Sequence, residues 1–290
     1  MRPAASGLRY ARALLILGRV SNLPTVWSNC LAAWMLGGGG PAGRFFLLCA
    51  GATCLYLGGM FLNDAFDADF DRQHRRERPI PSGAISLGAV WLWGLVWLAT
   101  GALLLTSLGG GPGVLAIALV LCILAYDAVH KLVAFSPLLM AACRFFLYLV
   151  AAATAERGVT GLALWSAFAL ASYVIGLSCL ARHESTRTPF AHWPLACLGA
   201  PLLLALLVNN GDHRVRGLVL VGVVGFWAAL CLRPAFDRVA PNPGRAVAGL
   251  LAGIVLVDWL AVGGGGWAVS LVFVVLFGAA LVAQRFVPAT

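Results

Sequence analysis

Apolar residues in this chain come in runs of about twenty, separated by short stretches of glycine, proline, asparagine and charge. A helix needs roughly 20 apolar residues to cross the hydrocarbon core of a bilayer. Windows of that kind fall at 13–36, 44–64, 86–108, 113–131, 137–155, 161–181, 191–208, 216–232, 246–262 and 266–285, which predicts nine or ten spans. The breaks between them, such as GGGGPAG, RPIPSG, GGGPG, NNGDH and APNPG, read as loops. Backbone in lipid must satisfy its own hydrogen bonds, and these long runs of Leu, Ala, Val and Gly suit helices rather than the short alternating strands of a barrel. The expected fold is all-α: a polytopic transmembrane helical bundle forming a single domain over 1–290.

Composition strengthens this reading. The chain is 61% hydrophobic and 11% charged, with a mean hydropathy of +0.91, whereas soluble domains carry about a quarter of charged residues. Its net charge of +9 comes from arginines and a single lysine scattered through loops, so nucleic acid is excluded as a partner and the lipid bilayer is the expected one. With both termini cytoplasmic, the inner segments hold Arg2, Arg9, Arg12, Arg72, Arg75, Arg76, Arg78, Lys131, Arg182, Arg187, Arg233, Arg238, Arg245 and Arg285. The outer segments keep Arg44, Arg157, Arg214 and Arg216, the asymmetry of the positive-inside rule. The eight cysteines show no CxxC or Cys/His spacing and read as small buried hydrophobes. Arg19 and Asn22 interrupt the first apolar run and no small-residue cleavage site follows it, so a cleaved signal peptide is not expected.

The chemistry concentrates in FLNDAFDADFDRQHRRERPIPSG, residues 61–83, directly behind an apolar run. Continuing the second helix through residue 71 at 100° per residue places Asn63, Asp64, Asp67 and Asp71 within an arc of about 100°, with Asp69 pointing away. Carboxylates so grouped repel one another unless a cation sits among them. Hard oxygen ligands suit Mg²⁺, which substrate phosphate oxygens commonly complete. A solvated, charged helix end is the plainer alternative, but polar groups within a turn of membrane-buried sequence are functional candidates. The three most polar helix ends, around 63–78, 126–131 and 182–187, are expected on one cytoplasmic face, with active-site loops near 63–83, 126–136 and 182–190.

NDAFDADFD fits NDxxDxxxD, and the following DRQHRRERPIPSG fits a DR…RP(I/L)(P/A)SG continuation. Both resemble the first aspartate-rich motif of the UbiA superfamily of intramembrane prenyltransferases. YDAVHK resembles that family's YxxxK-type element through Tyr126 and Lys131, which stand one residue farther apart here than in that pattern. YVIGLSCLARHEST aligns with the second motif, YDxxYAxxDxxDD, where Tyr173 matches. Val174 and Ala181 replace expected aspartates there, and Glu184 is the carboxylate left; this form looks like the divergent EboC-like branch.

The resemblance implies Mg²⁺-dependent transfer of a prenyl group from a prenyl diphosphate to an unidentified acceptor. Asn63, Asp64, Asp67, Asp71 and Glu184 are then the expected metal residues, with Asp64, Asp67, Asp71, Lys131 and Glu184 catalytic. Arg72, Arg78 and Arg182 are expected on diphosphate oxygens, alongside His183 or Arg187, because guanidinium grips such oxygens bidentately. Tyr126, Tyr148 and Tyr173 either offer ring faces to an allylic cation or serve in packing. Arg19 and Asn22, beside a kink expected at Pro24, either line the acceptor side or, for Arg19, snorkel to headgroups. Arg144 sits mid-window, where a lone arginine is expensive in lipid, and should face the cavity or a carboxylate; Asp258 is given a structural part without a named partner. Competing readings are a catalytically degenerate isoprenoid-binding protein and a secondary transporter. The DGxxAR signature of CDP-alcohol phosphotransferases does not occur.

Overall fold

The computed structural model describes residues 3–186, 193–209, 214–236, 242–263 and 265–289, with backbone alone for 3–6, 8 and 183–186. Among these residues every regular element is helical. In chain order they are α1 (Pro3–Leu17), α2 (Leu23–Leu36), α3 (Ala42–Phe66), α4 (Ala68–His74), α5 (Leu87–Thr106), α6 (Gly110–Val129), α7 (Ser136–Thr154), α8 (Gly161–Thr186), α9 (Trp193–Leu198), α10 (Ala200–Val208), α11 (Arg214–Leu232), α12 (Pro243–Val262) and α13 (Trp267–Ala283). Seven described helices, α3, α5, α6, α7, α8, α11 and α12, are long and apolar enough to cross a membrane. The segment 193–208 and α13 are apolar but shorter. The chain is therefore the all-helical multi-pass bundle that its apolar runs predict.

Three expected continuities are corrected. The window 13–36 is two helices: α1 ends at Leu17, and a 3-10 turn at Val20–Asn22 leads into α2. Arg19 enters that turn with left-handed backbone angles, φ 40° and ψ 49°, which a regular helix of L-residues does not accommodate. Pro24 sits in the first turn of α2, where its missing N–H costs nothing, instead of kinking a continuous helix. The window 191–208 divides likewise at Gly199, with Pro201 in the first turn of α10. The third break is at Asp67, where φ −83° and ψ −2° separate α3 from α4. Backbone bonds Asp67 N to Asn63 O and Asp71 N to Asp67 O, 3.0 and 2.9 Å, carry the helical phase across it.

Packing brings α2 to the centre, against α3, α7, α12 and α13, while α3 lies along α5, α6 along α7, and α7 along α8. Small residues permit the closest approach. A Cβ added at Gly58 would stand 2.7 Å from the Leu98 backbone nitrogen, and one at Gly101 would stand 2.7 Å from that of Leu55. At one end of the bundle the loop after α2 accepts backbone bonds from Glu156 and Arg157, beyond α7. The C-terminal ends of α3, α6 and α8 gather at the other end. Asn63 on α3 reaches Asp127 on α6, and Arg182 on α8 donates to Val133 O, Ala134 O and Ser136 Oγ in the segment after α6.

Candidate active site

The last turn of α3 and the short α4 supply the oxygens. Asn63, Asp64, Asp67 and Asp71 are 5%, 3%, 9% and 2% exposed, whereas the Asp69 side chain is 89% exposed. That division is the one a single helical face requires, and it survives the break at Asp67.

Basic groups from three other segments close over this face. The 75–83 loop folds back so that Arg78 Nη1 donates to Asp64 Oδ1 at 2.9 Å and lies 3.6 Å from Asp71 Oδ2. From the turn before α2, Arg19 Nη2 lies 3.6 Å from Asp64 Oδ1, while Tyr56 holds the Arg19 carbonyl with its hydroxyl at 3.2 Å. The strained backbone of Arg19 thus sits at the site, where such conformations tend to be functional. Just past α6, Lys131 Nζ stands 2.7 Å from Asp67 Oδ1 and His130 Nε2 stands 3.4 Å from the same oxygen. Lys131 also lies 3.8 Å above the Phe70 ring, a cation–π contact.

These partners set the protonation states. Burial opposes ionisation of Asp67, but His130 and Lys131 outweigh it and hold the carboxyl below its ordinary range. Burial raises Asp71, which Arg78 offsets only in part. For His130, burial favours the neutral ring, yet contact with Asp67 prevails and raises its pKa.

The remaining sequence candidates fall elsewhere. Arg72 pairs with exposed Asp69 on the outer side of α4. Asn22 donates to the Ala289 carbonyl at 2.9 Å, and so meets the chain's far end. Tyr126 stacks on His130 with ring centroids 5.0 Å apart. Tyr148 and Tyr173 are buried in the core, and the Tyr173 hydroxyl donates to Leu250 O at 2.9 Å. Arg182 is tied to the segment after α6 as described. The side chains of His183 and Glu184, and all of Arg187, lie outside the described residues.

Arg144 finds a second polar centre between α2, α7 and α12. It donates to Asn29 Oδ1 at 2.7 Å and to Thr25 Oγ1 at 2.9 Å. Asn29 Nδ2 in turn donates to Asp258 Oδ2 at 2.6 Å, as does Ser28 Oγ at 2.5 Å. Asn29 thereby relays between the arginine and the carboxylate, giving Asp258 its partners.

Two site residues escape the motif-based reading: His130 and Asp127. Asp127 is 3% exposed and accepts from Asn63 Nδ2 at 3.2 Å. A carboxylate inside an apolar window was signal enough, by the same depth argument that singles out Asp64.

The donor set of α3–α4 matches the chemistry of a hard cation: the oxygens come from Asn63, Asp64, Asp67 and Asp71, and Asp71 Oδ1 is buried without a hydrogen-bond partner. Among the described residues, no three His, Cys, Asp or Glu side chains are grouped so that they could hold a metal ion as they stand; the carboxylates are instead paired with Arg19, Arg78 and Lys131.

The UbiA prenyltransferase family profile matches residues 21–187, more than half of the chain, and includes the acidic face of α3–α4, the 75–83 loop and the end of α6, with Arg19 just before its start. Similarity to curated relatives is shorter. The chain is 33% identical over 82 residues to 4-hydroxybenzoate octaprenyltransferase of Edwardsiella ictaluri, covering 27% of this chain and 29% of that one. It is 31% identical over 88 residues to digeranylgeranylglyceryl phosphate synthase of Sulfolobus acidocaldarius, covering 30% and 31%. The matched stretch thus spans under a third of these relatives' length. Among solved structures, a UbiA homolog from Archaeoglobus fulgidus bound to GPP and Mg²⁺ superposes with a TM-score of 0.65 at 12% identity, over 94% of this chain and 99% of that one. The apo UbiA homolog from Aeropyrum pernix gives 0.63 at 18% identity, over 93% and 98%. With the same fold, and with the family match running through every helix end that builds the site, the chain belongs to the UbiA prenyltransferase family.

Proposed function

We propose that this protein transfers a prenyl group from a prenyl diphosphate to an acceptor within the membrane, releasing diphosphate. The observation that supports this most is the meeting of four buried oxygen-bearing side chains of α3–α4 with Arg19, Arg78 and Lys131 at one end of the bundle. Magnesium, held by Asn63, Asp64, Asp67 and Asp71 with Glu184 from α8, would supply positive charge against the departing diphosphate.

The chain's own residues account for the rest. Arg78 and Lys131 already stand among the carboxylates, so they reach a diphosphate bound there and stabilise the charge that develops as the C1–O bond breaks toward oxygen. Arg19, presented by its left-handed turn, closes the side toward α2. The carbon left electron-poor takes an electron pair from the acceptor, which then loses a proton. Water must be kept from that carbon, which a pocket within a helical bundle would do. The site faces the cytoplasm in this reading, as the distribution of arginines implies.

The test is pyrophosphate release by the purified, reconstituted protein given a prenyl diphosphate, Mg²⁺ and a panel of lipophilic acceptors. Asp67→Ala abolishes release while the protein still inserts and unfolds cooperatively; retained release removes the metal reading. The thin second motif, with Val174 and Ala181, favours one other reading, a binder without turnover. It is distinguished by Mg²⁺-dependent prenyl diphosphate binding with no release across the panel.

A further inference from the structure

The magnesium reading leaves one buried carboxylate at the site without a part. Asp127 lies in the last turn of α6 and is 3% exposed. Its Oδ1 accepts from Asn63 Nδ2 at 3.2 Å, and its Oδ2 is buried with no hydrogen-bond partner. An unpaired carboxylate oxygen in the interior is unfavourable and persists where something binds it. Arg19, His130 and Asp67 are the charged groups whose fields reach it, and the salt bridges of the site pair these with Asp64 and with one another, not with Asp127. The bond from Asn63 has a further effect. An amide that donates through Nδ2 has its orientation fixed, so the carbonyl Oδ1 of Asn63 is left as the acceptor available to a cation. Glu184 is the one carboxylate of α8, so the ligand set proposed above draws a single acid from outside α3–α4, and an oxygen from α6 would add a second.

Resting on the proposed function above, we propose that Asp127 is a further magnesium-site residue: Oδ1 positions Asn63, and Oδ2 is the oxygen it offers to the ion. The test uses Mn²⁺ as a spin-active stand-in, titrated by electron paramagnetic resonance into the purified full chain with inorganic pyrophosphate. Asp127→Asn keeps the shape and removes the charge. It is expected to weaken Mn²⁺ binding by about 10–100-fold, with thermal unfolding in the absence of metal unchanged, while Asp69→Asn binds like the parent. Equal Mn²⁺ affinity in Asp127→Asn overturns the assignment and leaves the proposed function standing. No Mn²⁺ binding by the parent chain overturns both. Should Asp127→Asn not purify as a folded protein, Asp127→Glu is read the same way: the displaced oxygen lowers Mn²⁺ affinity several-fold, and parental affinity overturns the assignment.

Discussion

Arg78 carries more of the site's internal balance than any single carboxylate, because its guanidinium serves both Asp64 and Asp71. Its side chain is 17% exposed and those of its partners 4% and 3%, so removing it leaves Asp71 without this cation and Asp64 with Arg19 alone at 3.6 Å. Arg78→Gln should therefore lower stability by about 1–3 kcal/mol without metal, less than a fully buried pair would lose because water still reaches the arginine. Magnesium should recover more than half of that loss, since it gives the same carboxylates another cation. Thermal unfolding with and without Mg²⁺ checks both parts, and a loss that metal does not touch would mean that Arg78 acts only on the loop. The acids of this site were legible as a helical face, because Asn63, Asp64, Asp67 and Asp71 keep 3.6-residue phase while Asp69 leaves it. Asp127 is legible by depth alone, as a carboxylate inside an apolar window, but its partner is not, since the Asn63 contact lies 64 positions away on α3; His130 likewise gains its part only from Asp67. Arg144 shows the same limit. Its cost in lipid is plain from the sequence, but its partners sit 115 and 119 positions earlier, beyond any local pattern.

At the scale of elements, the position of the acidic face depends on how closely α3 and α5 approach. Gly58 of α3 meets the Leu98 backbone directly, with an added Cβ 2.7 Å from its nitrogen. Backbone cannot yield as a flexible side chain does, so Gly58→Ala should force the helices apart at a cost of about 1–3 kcal/mol. Gly88, in the first turn of α5, has open space where its Cβ would lie, and Gly88→Ala should instead be neutral or stabilising by up to about 1 kcal/mol, as alanine is the better helix former. Unfolding midpoints of the two variants in one detergent decide the matter; equal effects would deny that α3–α5 contact is close. Helices were readable from apolar runs because lipid leaves the backbone few other solutions. Their interruptions were less so: Arg19 and Asn22 mark the turn at Val20–Asn22 inside the first window, but the hydropathy of a twenty-residue run does not separate one helix from two, and the break at Gly199 carries no charge at all. Pro24 and Pro201 signal a disturbance, yet whether proline kinks a helix or opens a new one depends on the preceding backbone, and only the left-handed Arg19 settles it.

For the whole molecule, the consequence is a bundle with two chemically different ends. One gathers the acidic face, the end of α6 and Arg182. The other holds the glycine loop after α2, the turn between α5 and α6, and Arg44, whose Nη2 donates to Leu108 O at 2.9 Å. The first end carries Arg72, Arg75, Arg76 and Arg78, and the positive-inside rule predicts that it stays on the cytoplasmic side. Gly111 and Arg76 mark the two ends at described, exposed positions, and either can be replaced by cysteine once the eight native cysteines are removed. A membrane-impermeant maleimide applied to intact cells should then label Gly111→Cys directly and Arg76→Cys only after permeabilisation. The reverse pattern would move the acidic face to the outer side, where the positive-inside count opposes it. Labelling of both from one side would require an even number of crossings between residues 76 and 111, whereas α5 is the single membrane-length helix between them. Labelling at 76 and 111 thus reads the parity of the bundle between the site and the opposite end.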